Sequence, residues 1–380
     1  MFSSERLRGI AFQAILLAAI AGLAWYLIGN TLENLQNRQI QVGFDFLGKE
    51  AGFEIGEKPI DYDPTRSYGR AFLVGLINTL IVAGIGIVFA TVIGTLLGIG
   101  RLSSNWLIAR LSTTYVEVLR NVPLLLQLFV WHGLFTELLP GVRQAIRIDD
   151  LAVLSQRGFQ FAWPIAHAGW RTAGWALLAG IVASIAWRTL AHRHQERTGA
   201  QWPVGWITLA LVVGLPLLAW AALGAPTGLE KPVLRGFGYR GGVSVSPEFM
   251  ALLIGLSTYT AAFIAEVVRA GLLAVDRGQH EAGMSLGLGP SQRLRLITLP
   301  QALRVIVPPM TSQYLNLTKN SSLAVAIGYP DLVSIANTSM NQTGQAIEAI
   351  AILMAVYLTI SLLISLGMNL YNARVRLKER

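Results

Sequence analysis

Long apolar runs constrain the fold of this chain more than any other feature of its sequence. Eight stretches are long enough to cross a hydrocarbon core, which takes roughly 20 mostly apolar residues in helical form. Since backbone groups in lipid must satisfy their own hydrogen bonds, these runs predict an all-α polytopic membrane protein with about eight transmembrane helices. The runs lie near residues 9–29, 70–99, 105–137, 172–190, 204–222, 248–273, 305–328 and 346–371.

The composition agrees with a membrane protein. Hydrophobic residues make up 53% of the chain and charged residues 13%, whereas about a quarter of the residues of soluble domains are charged. A net charge of +9 fits Lys and Arg at cytoplasmic helix ends, so nucleic acid is not an expected partner. The absence of cysteine and the scattered positions of five histidines predict neither disulfides nor a metal site.

The distribution of Lys and Arg predicts that both termini are cytoplasmic. Basic residues concentrate after alternate runs, as at Arg101 and Arg110 and from Arg269 to Arg304, whereas 329–345 contains none. We interpret the first run as a retained anchor because no small-residue cleavage site precedes Asn30. The run at 105–137 is too long for one straight span, and we expect a break at Asn121–Pro123.

A polar, glycine-punctuated segment, Glu281 to Pro308, separates two late apolar runs. Its Gly289-Pro290 break predicts a helix, a turn and a second short helix that stops at Leu299-Pro300, on the cytoplasmic side of a membrane. Leu294, Leu296 and Ile297 lie close together there between arginines. Such an apolar patch fits a groove on a soluble partner, or else an amphipathic helix on the anionic inner leaflet.

The segment resembles the "EAA" coupling loop of the permease subunits of bacterial ABC importers, whose pattern is Glu-Ala-Ala, a glycine and then Ile-x-Leu-Pro. This chain has Gly283 in place of the second alanine. The passages Tyr115–Leu125 and Tyr259–Arg269 are similar to those of polar amino-acid permeases. Gly43–Leu47 is similar to a passage that precedes the core of the larger members. The matching coupling residues are Glu281, Ala282, Gly283, Gly287, Gly289, Leu294, Ile297 and Pro300.

The resemblance implies a MetI-like permease core with an extra N-terminal helix and an inserted helix pair. It divides the chain into an anchor helix and periplasmic loop, a first core part, an insert, and a second core part with a coupling loop at 278–308. The implied substrates are general L-amino acids, or glutamate, glutamine, aspartate and asparagine. The four segments are 1–69, 70–137, 138–245 and 246–380.

The chain lacks the Gly-x-x-x-x-Gly-Lys-Ser/Thr phosphate loop, so we expect no cofactor in it and no enzymatic activity of its own. The resemblance implies that ATP and Mg are bound by a cytoplasmic ATPase dimer. It also implies a homologous, non-identical second permease, a periplasmic amino-acid-binding protein, and the lipid of a bacterial inner membrane. An ion-coupled secondary transporter would show internal repeats, and a channel-like subunit would not need this cytoplasmic segment.

Ionisable residues inside spans are costly and normally face a partner. Glu117 and Arg120 are three residues apart, as are Glu266 and Arg269, so each pair shares one helix face and is expected to neutralise itself. Either pair serves a substrate pathway or pins a helix; the sequence leaves both functions open.

Lys319 is the strongest intramembrane candidate, since it has no acidic residue within one helical turn. It requires an anion, either a substrate carboxylate or Glu117 or Glu266 from another helix. Its neighbours Asn320, Ser321 and Ser322 suit a polar ligand or bonds across helices. By resemblance, Asn78 and Thr79 are expected near the outer mouth or the pathway.

Two further features have more than one interpretation. Gly94 and Gly98 form a small-xxx-small pair, which packs helices either within the subunit or between subunits. The segment 30–69 is too short and mixed for a ligand-binding domain. We expect a lid-like loop or a surface helix rather than direct contact with substrate.

Overall fold

The structure is a computed structural model that describes residues 4–37 and 43–375, mostly as helices. It forms two compact units, Met1–Gly133 with Glu248–Arg380 and, separately, Leu134–Pro247. In chain order the α-helices are α1 (Ser4–Asn37), α2 (Tyr68–Gly100), α3 (Trp106–Asn121), α4 (Leu124–Gly133), α5 (Ala168–Thr198), α6 (Val204–Leu209), α7 (Leu215–Ala222), α8 (Pro247–Leu273), α9 (Arg277–Ser285), α10 (Pro290–Arg293), α11 (Leu299–Asn320), α12 (Leu332–Thr343) and α13 (Ala346–Val375).

Six helices of the described residues are long and apolar enough to cross a membrane, and a bent pair raises the number to seven. The predicted span at 305–328 is not among them: α11 carries polar residues at its end and is followed by a 3-10 turn, Ser321–Ile327. About eight transmembrane helices therefore agrees with the helical architecture, with 305–328 as the least apolar of the predicted spans.

The bent pair confirms the predicted break. α3 ends at Asn121, α4 begins at Leu124, and the two are bent by 104°. Pro123 lacks the N–H that would continue the helix. The side-chain amide of Gln127 donates to the Leu119 and Val122 carbonyls, both at 2.9 Å, and so satisfies backbone acceptors at the break.

The glycine pair of α2 packs helices within the first unit. A Cβ on Gly94 would fall 2.6 Å from Ile264 Cβ, and one on Gly98 would fall 2.7 Å from the Ala265 carbonyl oxygen. α2 and α8 are thus in backbone contact, which resolves the alternatives for this pair in favour of packing inside the subunit.

Residues 43–67 share the core of the first unit. Phe46, Ile55 and Tyr62 are buried in one cluster with residues of α2 and α12. The Gly43 amide donates to Glu348 at the start of α13 at 2.7 Å, and Gln345 donates back to the Gly43 carbonyl at 3.0 Å. The segment is therefore a loop with one 3-10 turn, Asp45–Gly48, that packs on this core, and we call it the cap.

The second unit pairs α5 with α6 and α7 and adds short strands that the sequence did not predict. Its main sheet has the antiparallel order β1-β2-β3-β8, with Phe159 opposite Val245. A two-stranded sheet pairs β4 with β5, and a hairpin pairs β6 with β7. The strands are β1 (Ile146–Ile148), β2 (Ala152–Ser155), β3 (Gly158–Phe161), β4 (Trp163–Pro164), β5 (Leu229–Glu230), β6 (Val233–Arg235), β7 (Gly238–Arg240) and β8 (Val243–Val245).

Candidate functional sites

The polar segment begins with α9, which has a defined start and end. Asp276 caps the start by accepting from the Gly278 amide at 2.6 Å. At the end, Gly287 donates to Met284 at 2.9 Å and Leu288 donates to Gly283 at 3.1 Å, the bond pattern of a Schellman motif. Gly287 has φ +72, a left-handed conformation that glycine adopts without steric cost.

The second helix starts as predicted but does not stop at Leu299-Pro300, so that part of the prediction is wrong. Gln292 accepts from the Gly289 amide at 3.0 Å, and Pro290 occupies the first turn, where a missing N–H costs little. A π-helical stretch, Leu294–Thr298, then joins α10 to α11 without interruption. The widened π turn accommodates Pro300, which would break a regular helix interior.

The two helices of the segment pack on each other through Gly283. A Cβ at that position would fall 2.7 Å from Ile297 Cδ1 and 3.2 Å from Arg293 Cγ. His280 Nε2 lies 3.2 Å from the buried Thr298 hydroxyl. Ile297 therefore faces α9, and its predicted place in an exposed patch is wrong.

An exposed apolar patch nevertheless exists on this segment. Met284, Leu286, Leu294 and Leu296 are each exposed by 52% to 78%, and we call these four residues the docking patch. Glu281 and Ala282 are also exposed beside it. Met284 and Leu286 were missed by the sequence analysis, although large apolar residues in a polar segment are themselves a signal of a binding surface.

A charged cluster gathers around Glu266. Its carboxylate accepts a hydrogen bond from Arg101, lies 3.4 Å from Arg269 Nη1 and lies 3.9 Å from Arg120 Nη1. The predicted pair of Glu266 and Arg269 is confirmed.

The predicted pair of Glu117 and Arg120 is wrong. Glu117 is exposed and forms no ion pair within the described part of the chain. Arg120 instead faces α8, where its guanidinium lies 5.2 Å from the Phe263 ring centroid. The packing of α3 on α8, which spacing along α3 cannot reveal, selects the partner.

Arg101 also belongs to this cluster, although its sequence position predicted only a basic residue at a helix end. Its side chain is 9% exposed. Its Nε is buried and has no hydrogen-bond acceptor among residues 4–37 and 43–375. No local signal identifies such burial, because it depends on how α2 meets α8.

Lys319 is exposed at the end of α11 and forms no ion pair with Glu117 or Glu266 within the described ranges. Those two predicted partners are wrong, since Glu266 is occupied by arginines. The neighbouring hydroxyls bond to their own helix: Ser321 donates to the Thr318 carbonyl and Ser322 to the Lys319 carbonyl, each at 2.7 Å. Asn320 is half-buried beside them.

Asn78 and Thr79 are buried, and their side chains form hydrogen bonds with backbone groups of other segments. The Asn78 amide donates to the Glu57 and Pro330 carbonyls at 3.0 and 2.9 Å, and the Thr79 hydroxyl accepts from the Leu332 amide at 3.1 Å. Both residues thus fix the cap and the start of α12 against α2.

Asp331, which the sequence analysis did not single out, is buried between the 3-10 turn and α12. Its Oδ1 caps α12 by accepting from the Ser334 amide at 2.8 Å, while Oδ2 has no partner in the described residues. Burial raises the pKa of Asp331 to about 7, against the effect of backbone hydrogen bonds that lower it.

Comparison with known proteins gives concordant matches. Residues 203–377 match the family described as "Binding-protein-dependent transport system inner membrane component". The chain is 50% identical to the putative amino-acid ABC transporter permease protein YhdX of Escherichia coli K12, over 100% of this chain and 97% of that protein. It is 49% identical to the general L-amino acid transport system permease protein AapQ of Rhizobium johnstonii, over 98% and 93%.

A third relative is named for a narrower range of amino acids. The chain is 40% identical to the glutamate/glutamine/aspartate/asparagine transport system permease protein BztB of Rhodobacter capsulatus, over 99% of this chain and 95% of that protein.

Proposed function

Because the chain belongs to the family of inner-membrane components of binding-protein-dependent transport systems, as a permease subunit of an ABC importer for amino acids, we propose that the docking patch binds a separate cytoplasmic ATPase. The observation that carries this proposal is the exposure of Met284, Leu286, Leu294 and Leu296 on two helices that pack on each other through Gly283. Large apolar side chains exposed in an otherwise polar segment fit a hydrophobic groove on a partner.

The family lacks an ATPase site in its permease subunits, so the energy for transport is supplied by another chain. In our proposal an ATPase dimer binds ATP and Mg, and a periplasmic amino-acid-binding protein delivers the substrate. A homologous, non-identical permease completes the translocation path. With both termini in the cytoplasm, α9 and α10 lie on the side of the membrane where ATP is available.

ATP binding then moves α9 and α10 and switches the path between outward and inward access, because the ATPase contacts the segment differently in the two states. α11 transmits the movement to the helices against which it packs, α2 and α13. Gly271 of α8 lies directly against Ile306 of α11, so α8 follows.

We further propose polar L-amino acids as the substrates, by analogy with the amino acids for which AapQ and BztB are named. Lys319, Asn320, Ser321 and Ser322, with Arg120, Glu266 and Arg269, are the candidate pathway residues. The alternative of an ion-coupled carrier predicts uptake by this chain alone.

The turn at Gly287 provides the test. Gly287→Val should abolish ATP-dependent uptake and coupled ATP hydrolysis by the reconstituted complex while leaving membrane insertion intact, because a β-branched residue is strained at φ +72. Gly287→Asn is the matched control, since asparagine tolerates this conformation. Normal uptake by Gly287→Val would overturn the proposal, and uptake driven by an ion gradient without an ATPase would replace it with the carrier.

A further inference from the structure

The cluster at Glu266 carries more positive than negative charge. One carboxylate faces three arginines, Arg101, Arg120 and Arg269. In the described ranges no other carboxylate forms an ion pair with these arginines. The surplus positive charge is on Arg120 and Arg269, whose side chains are partly exposed, so the cluster is suited to an anionic ligand.

The arginines differ in how they are held. Arg101 is almost fully buried and takes the direct hydrogen bond to Glu266, which makes it a brace between the end of α2 and α8. Arg120 and Arg269 have side chains that are 38% and 36% exposed, at the longer distances of 3.9 and 3.4 Å from the carboxylate. These two guanidinium groups are therefore the accessible ones.

The orientation of Arg120 suits recognition of a carboxylate. Its guanidinium Cζ lies over the Phe263 ring, 5.2 Å from the ring centroid, a cation–π contact that positions the charge without using the N–H donors. A guanidinium edge matches the two oxygens of a carboxylate with parallel hydrogen bonds.

A second, independent observation also indicates a missing acceptor. The Nε of Arg101 is buried and has no hydrogen-bond partner among the described residues. Buried donors are normally satisfied in folded proteins. The cluster thus combines a surplus of positive charge with a buried guanidinium N–H that has no acceptor in the described part of the chain.

We propose that Arg120 and Arg269, braced by the Arg101–Glu266 pair, bind the carboxylate of the transported amino acid. This inference rests on the proposed function and adds Arg101 as a positioning residue. Every α-amino acid offers one carboxylate, and acidic amino acids offer two for the two surplus charges. The ligand class is therefore amino acids with a free α-carboxylate, with a preference for glutamate over glutamine.

The experiment uses the full complex with its ATPase, partner permease and binding protein in phosphatidylcholine proteoliposomes. Uptake of glutamate is measured with the binding protein present, and direct binding of glutamate is measured after the binding protein has been removed, for wild type, Arg120→Gln and Arg269→Gln. Loss of a charge-assisted bond predicts about tenfold weaker glutamate binding for each variant, and uptake of glutamate should fall more than uptake of glutamine. The control is Arg110→Gln, which removes an exposed arginine of the same helix α3 that forms no ion pair in the described residues.

Three outcomes separate the possibilities. If wild type shows no ATP-dependent uptake, the proposed function itself fails. If wild type imports amino acids and both glutamine variants bind glutamate as tightly as wild type, the carboxylate site is overturned while the importer stands. If the variants differ from wild type only when phosphatidylglycerol is present, the cluster binds a lipid phosphate and the inference is also overturned.

Folding defects are distinguished by Arg120→Lys and Arg269→Lys, which keep the charge. Glutamate binding intermediate between that of wild type and that of the glutamine variants supports a ligand contact, because lysine keeps the charge and lacks the paired N–H edge of the guanidinium. Equal assembly of all variants with the ATPase is the expected result, because the Arg101–Glu266 pair remains intact in each.

Discussion

Gly283 and Ile297 lie so close that a Cβ on the glycine would fall 2.7 Å from Ile297 Cδ1. The atom that would have to move is the end of a flexible side chain, and alanine is the better helix former by roughly 0.5–1 kcal/mol. We therefore expect Gly283→Ala to keep uptake within about twofold of wild type, since these effects nearly cancel. Gly283→Val should separate α9 from the π stretch and lower uptake strongly, and Ile297→Val should partly restore it.

A charge placed in the docking patch should weaken the association of this chain with the ATPase. Leu286→Asp should weaken co-purification of the ATPase by about tenfold or more, because it places a charge in an apolar contact. Leu286→Met is the control that keeps an apolar side chain. Unchanged co-purification by the aspartate variant would show that Leu286 lies outside the contact.

The buried carboxyl group of Asp331 should make the free energy of unfolding depend on pH. Its pKa is raised to about 7 in the folded protein, against 3.8 for the free group. The folded state therefore holds the proton more tightly, and the stabilisation present at low pH is lost as the pH rises from about 4 through about 7.

Asp331→Asn should retain the cap on Ser334 and remove this titration. The variant should gain stability relative to wild type between pH 5 and 8, by roughly 4 kcal/mol at most. Thermal unfolding in detergent at the two pH values measures the difference. Parallel curves for the two proteins would contradict the assignment.

The close approach of α2 and α8 predicts a position-specific effect of glycine replacement. Gly94→Ala should destabilise the protein by about 1–3 kcal/mol, because the new Cβ would meet the Ala261 backbone oxygen at 2.8 Å as well as Ile264. Gly84→Ala is the control on the same helix, where nothing lies within 4 Å of the added carbon. Size-exclusion and thermal-unfolding assays on both variants measure the contrast.

Local signals in the sequence predicted local structure well. Pro123 determines the break between α3 and α4, and the Gly287 to Pro290 passage determines the turn after α9, because these residues restrict the backbone wherever they occur. The apolar runs predicted the membrane helices because the length and hydrophobicity of a run are also local properties of the sequence. The short strands of the second unit depend on pairing across distant loops and left no comparable local pattern.

The ion-pair partners of charged side chains were predicted less well from the sequence. Spacing alone placed Arg120 beside Glu117, whereas the packing of α3 on α8 turns Arg120 toward Glu266. Arg101 was missed as a cluster member because a basic residue after a membrane helix normally faces water and headgroups. Its burial follows from the close contact of α2 with α8, which involves residues far apart in the chain.

The uninterrupted path of helix from Pro290 through the π stretch to Asn320 has a mechanical consequence. At 1.5 Å per residue this path is about 45 Å long, so a tilt of about 5° at the docking patch that is transmitted through Pro308 and Pro309 would displace the far end by roughly 4 Å. A partner bound to Leu294 and Leu296 would therefore move the residues at that end, including Lys319. In the proposed transport cycle, a small rotation of α10 would thereby become a displacement of several ångströms at Lys319.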